Sequence, residues 1–101
     1  MKLVLDEAAK VELREAAFFY EDCREGLGQE FLQAIEFAFE QILERPELWR
    51  ILKGRFRRYL VHRFPYGVIY TVEGQTLFVA AIMHLKRKPD YWLQRSSRGR
   101  K

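Results

Sequence analysis

Residues 64–84 read FPYGVIYTVEGQTLFVAAIMH. Val68 to Glu73 and Thr76 to His84 are rich in β-branched and aromatic residues, the composition of strands. Gly74-Gln75 between them is a two-residue hairpin loop, with the glycine supplying positive φ. The second run is apolar on both faces. Strict alternation predicts Leu77, Val79, Ala81 and Met83 on one side and Phe78, Ala80 and Ile82 on the other. A strand of that kind belongs inside its sheet. His84 ends it, Lys86, Arg87 and Lys88 follow, and then Pro89-Asp90-Tyr91-Trp92. A hairpin that brings His, Arg and Tyr to one edge suits an anionic ligand or a protein partner.

Working outward, Arg55 to Phe64 reads as the preceding strand, so three consecutive strands form an antiparallel meander. Glu47 to Gly54 reads as a loop anchored by Trp49. Before it a helix spans Gln29 to Arg45, with Phe31, Ile35, Ala38, Ile42 and Leu43 inward, and Pro46 stops it. Gly26 and Gly28 separate it from an earlier helix that ends near Arg24. That helix buries Ala9, Leu13, Ala16, Ala17 and Tyr20, and Asp6 is its N-cap. Lys2 to Leu5 is a short first strand. The expected fold is α+β, β-α-α-β-β-β, a helix hairpin packed on an antiparallel sheet in two layers. The first strand is placed beside the doubly apolar last one, giving the order 1-4-3-2. The opposite sheet face is expected to be a shallow, partly open surface. Pro89 to Arg95 reads as a last helical turn. Residues 1–95 form a single domain, and 96–101 a basic polar tail.

Composition narrows the function classes. At 101 residues with 49% hydrophobic content, the chain supports one modest core. No run of eighteen apolar residues is present, which excludes a helical membrane span. The start, Met1 to Asp6, lacks the apolar stretch of a secretory leader. A single cysteine, Cys23, excludes an internal disulfide and fits a cytoplasmic setting. Charge is divided unevenly. Residues 1–52 carry 6 basic and 12 acidic side chains, net −6, whereas residues 53–101 carry 12 and 2, net +10. An acidic helical layer beside a basic sheet points to a polyanion or an acidic protein partner. With only His62 and His84, no metal site is expected, and no cofactor.

The motifs in order are Phe31 through Pro46 with Trp49, Arg57-Arg58, Phe64-Pro65-Tyr66 with Ile69-Tyr70, and His84-Leu85-Lys86-Arg87. Together they resemble the RelE/ParE superfamily of toxins from type II toxin–antitoxin modules, over Leu5 to Arg95. The resemblance implies a fold of the order derived above and neutralisation by a cognate antitoxin. It implies one of two activities. RelE-like members are ribosome-dependent messenger RNA endoribonucleases. ParE-like members bind a protein target, DNA gyrase, and cut no RNA. The long acidic helix pair and the His84-x-x-Arg87 ending look more like the ParE branch, a plasmid-stabilisation type of growth inhibitor.

Site expectations follow from each branch. A metal-independent nuclease needs a proton acceptor, a proton donor and cations on the phosphate; His84, Arg87, Tyr91 and Arg58 are the candidate set. A target-binding toxin would use Lys86, Arg87, Lys88, Trp92 and Arg95. Val11, Phe18 and Phe37 lie off the buried helix stripes and are the expected antitoxin contacts, although a toxin dimer or a heterotetramer with antitoxin would also cover them. A third alternative is an inactive homologue that keeps only antitoxin binding. Plainer roles stand beside these: His84 as a core histidine, Phe64-Pro65-Tyr66 as packing, Tyr91 and Trp92 as a lid on the core.

Overall fold

The computed structural model describes residues 1–88 and 90–95. The expected basic tail and Pro89 lie outside the described residues. Strand β1 is Lys2–Leu5, followed by helices α1 (Glu7–Cys23) and α2 (Leu27–Glu44). Strands β2 (Arg50–Lys53), β3 (Phe56–Leu60), β4 (Tyr66–Glu73) and β5 (Thr76–His84) follow. They form one sheet of order β1-β5-β4-β3-β2. β1 runs parallel to β5, with Leu3 opposite Leu77 and Leu5 opposite Val79. The expected order of four strands is therefore present, extended by a fifth at the far edge, but the parallel β1 makes the sheet mixed where an antiparallel one was expected. Residues 50–53, expected in a loop, pair antiparallel with β3. The expected strand over Arg55–Phe64 is correspondingly shorter. No described helix is long and apolar enough to cross a membrane.

Two hairpins share one chemistry. Gly74 (φ 63°) joins Glu73 to Thr76, and Gly54 (φ 58°) joins Lys53 to Phe56, each as the first residue of a two-residue loop. Positive φ at that position is what glycine supplies without strain.

The helix pair is closed locally. The Asp6 carboxylate accepts from the Ala8 amide at 2.9 Å and caps α1. At the other end, both oxygens of Glu21 accept hydrogen bonds, from the amides of Gly26 and Gly28, each at 3.0 Å. Gly26 has no side chain to cap α2, so a carboxylate on α1 serves the unpaired N-terminal amides of its neighbour. The helices also touch there. A Cβ on Gly28 would lie 2.6 Å from the Ala17 carbonyl oxygen.

The helices cover one face of the sheet. Ala9, Ala16, Phe31, Ile35, Ala38 and Ile42 meet Tyr59, Val68, Tyr70, Leu77, Val79 and Ile82 in the main core. Leu43, expected in the α2 stripe, is exposed, one step around the helix from Ile42; Phe39 packs on the core instead. The Tyr70 hydroxyl donates to the Pro46 carbonyl at 2.6 Å and ties the end of α2 to the sheet. The opposite face is not open at its centre, contrary to expectation. Phe56, Ile69, Phe78, Ala80, Ala81 and Met83 pack there against a fully buried Trp92.

The faces of β5 depart from strict alternation. Ile69 is opposite Ala81 and Tyr70 is opposite Val79, so Ala80 is a bulge. Leu77 and Val79 point to the helices before it, and Ile82 does so after it, while Ala80, Ala81 and Met83 face away. Every residue beyond Ala80 is thereby on the side opposite to that read from the sequence.

Gly28→Ala tests the helix contact. Alanine gains about 1 kcal/mol of helix propensity, but its methyl group meets a backbone oxygen that cannot rotate aside. Net destabilisation of about 2 kcal/mol is expected, read as a lower urea midpoint with an unchanged slope.

Candidate functional site

The bulge puts His84 on the helix side of the sheet. There it lines a cleft of about 180 Å³ with Glu12, Glu15, Ala16 and Phe19 of α1, Tyr66 of β4, Ile82 and Arg87. The imidazole meets Tyr66 edge-on, 5.1 Å between ring centres. Its Nδ1 accepts from the Lys86 amide at 3.1 Å, which leaves Nε2 to carry the proton of the neutral ring.

The wall of this cleft closes the open part of β5. β1 pairs with β5 only as far as Val79. Beyond it, the Ile82 amide donates to Glu12 Oε1 at 3.0 Å, and the Ala80 carbonyl accepts from Arg95 Nη1 at 2.9 Å. Arg95 reaches Glu12 at 3.2 Å and Asp6 at 3.9 Å. Two side chains thus do for this half of the edge what a strand does for the other half. Tyr91 lies between the guanidinium groups of Arg87 and Arg95, 3.8 Å and 5.0 Å from its ring centre. Burial, and then the Glu12 carboxylate, push the Tyr91 phenol far above its ordinary pKa.

The expected site residues divide as follows. His84 and Arg87 share the cleft, and Tyr91 adjoins through Arg87. Arg58 is on the other face of the sheet. It stands two residues on from Phe56 of the second core cluster, hence on the same side of β3, and its stem crosses the bare backbone of Gly67. Arg57 points the opposite way and donates to the carbonyls of Glu47 and Trp49. Lys86, Arg87 and Lys88 are exposed. Trp92 is wholly buried, and Arg95 is spent on Glu12, Asp6 and Ala80, so neither presents a side chain to a partner. Val11, Phe18 and Phe37 are exposed, but Phe18 and Phe37 line separate grooves with no residue in common. Among the described residues no group of three or more His, Cys, Asp or Glu is arranged to hold a metal ion. Glu12 was not foreseen as a site residue. Its partners are far away in sequence, and only its place beside the buried stripe of α1 hinted at it.

A family model described as the ParE toxin of type II toxin–antitoxin systems, parDE, matches residues 3–89. The chain belongs to the ParE toxin family. Among solved structures, a chromosomal ParDE toxin–antitoxin system from P. aeruginosa is similar to this ParE-family chain with a TM-score of 0.66. That similarity covers 85% of this chain and 97% of the other at 17% identity, a level that speaks to fold alone. No protein of curated function matches.

Glu12→Ala should cost about 3 kcal/mol, because it strands a buried amide and a partly buried guanidinium together. Glu15→Ala, in the same cleft but exposed, should change stability by less than about 0.5 kcal/mol. Urea unfolding of both variants makes the comparison.

Proposed function

We propose that this ParE-family chain is a toxin that arrests growth by binding a protein target, with DNA gyrase as the target, and that a cognate antitoxin neutralises it. The observation that carries this reading is the separation of the expected nuclease groups by the sheet. Arg58 lies on the face away from His84 and Arg87. A pentavalent phosphate cannot be held from both sides of a packed strand layer. Two further features point the same way. The Tyr91 phenol, with its pKa raised, is a poor proton donor and no base at neutral pH. One ring nitrogen of His84 is already occupied by the Lys86 amide.

What stays available is a cationic loop at the end of β5. The Arg87 guanidinium rests on the Tyr91 ring and has no carboxylate partner among the described residues. Stacking holds the planar group in place at little entropic cost and leaves its edges open for bidentate contact with an acidic partner. Lys86 and Lys88 flank it. Trp92 supports this loop from within the core and does not itself touch the target.

Arg87→Ala should therefore abolish growth arrest, whereas His84→Gln, which keeps size and hydrogen bonding, should be tolerated. Controlled expression is followed by plasmid supercoiling and by primer extension on cellular messages. Cleavage of messages in the ribosomal A site, lost in a folded His84→Gln variant, would assign the chain to the ribonuclease type instead. An inert parent that still binds antitoxin would make it an inactive homologue.

For the antitoxin we assign the groove lined by Phe37, Ala34, Gln33, Glu30, His62 and Arg63. Phe37 is 51% exposed and offers an aromatic anchor beside a polar rim. Truncating such an anchor costs about 2 kcal/mol, some thirtyfold in affinity. Titration calorimetry with the purified antitoxin should show that loss for Phe37→Ala; equal affinities would remove this groove from the interface.

A further inference from the structure

The outer face of α1 carries a pattern that neither the core nor the cleft uses. Phe18 is 66% exposed and stands between two adjoining grooves of the helix pair. Both grooves are floored by Ala17 and Leu32; Arg14 borders one and Glu21 the other. Arg14 is four residues before Phe18 and Asp22 four residues after it, so the three share one helix face. Neither Arg14 nor Asp22 has a hydrogen bond or ion pair among the described residues. Their order also opposes the helix dipole, with the acid in a last turn that holds no basic residue. Glu21 in that turn is explained by the amides of Gly26 and Gly28. Nothing among the described residues accounts for Asp22.

The sequence of this face, cation then aromatic then anion, is complementary to itself when reversed. A two-fold axis through Phe18 sets the α1 helices of two copies antiparallel. Each Arg14 then lies level with the other copy's Asp22, on both sides of a central aromatic pair. This is the self-matching geometry of a two-fold interface.

We propose that this face binds a second copy of the chain. α1 pairs with α1 about Phe18, each Phe18 enters the Ala17–Leu32 groove of the other copy, and two Arg14–Asp22 ion pairs flank the aromatic centre. One helix face buries less than the roughly 800 Å² per partner of a standard interface, so the dimer is weak and reversible. Its exposed ion pairs make it weaker as salt rises. Self-association through α1 is independent of the toxin's target, and its grooves share no residue with the Phe37 groove.

Charge exchange tests the pairing. The purified chain is compared with Arg14→Asp, Asp22→Arg and the double variant by sedimentation velocity, from micromolar to millimolar concentration at two salt levels. Circular dichroism checks that each variant is folded. The parent should form a reversible dimer, favoured at low salt. Each single exchange sets like charges against each other and should weaken association by roughly tenfold. The double exchange restores opposite charges and should return it to within about threefold of the parent. A parent that stays monomeric throughout overturns the proposal. So does a dimer in which the double variant is no better than the singles, since that dimer uses another surface. A monomeric parent whose Phe18→Ala variant binds purified antitoxin more weakly would give this groove to the antitoxin and likewise overturn it.

Discussion

The structure depends on how the second half of β5 is finished. The strand is buried on both faces, so each of its backbone groups must be paired inside the protein. β1 is too short to do this past Val79. Glu12, rising from α1, takes the Ile82 amide, and Arg95, arriving from the last described residues, takes the Ala80 carbonyl. The two side chains then pair with each other. This arrangement docks α1 on the sheet, holds Trp92 against Phe56 on the far face, and sets Tyr91 where Arg87 can rest on it. The cationic loop is shaped by a backbone pairing requirement one layer beneath it.

The bulge at Ala80 acts with this closure. Without it, His84 would face away from the helices. With it, the imidazole turns toward Glu12, Glu15 and Tyr66. One additional residue in one strand thus decides which side groups can act together. It also keeps Arg58, on its regular strand, from joining the cleft.

Much of the fold was legible in local chemistry. Gly74, Pro46, Asp6 and the apolar stripes of both helices marked their elements because each works through neighbours in sequence. The position of the last strand was legible because apolarity on both faces demands cover on both. β2 was missed because four residues, Arg50 to Lys53, are too few for an alternating pattern to register. The signal was present in Gly54, which opens its loop as Gly74 does. The bulge left no mark, since Val79-Ala80-Ala81 reads as unbroken strand and only the pairing with β4 shows the extra residue. The site was legible as a set of residue types near His84. What could not be read was the division of its arginines, with Arg95 consumed by Glu12 and Arg87 left on the surface, because ion pairing between distant segments has no periodicity.

The parallel pairing of β1 with β5 bears on how the molecule is made. The α1–α2 hairpin and the β2-to-β5 meander are built from contacts between neighbours in the chain. β1 must instead wait for a partner at the other end of the domain. Contacts of such sequence separation carry the largest loop-closure cost and form late. On the ribosome the first strand emerges long before β5 exists, and the clasp of Arg95 on Glu12 comes later still. Until that residue leaves the exit tunnel, the edge of β5 stays unfinished. The fold is therefore completed only once β5 and Arg95 have been made and have reached β1 and α1.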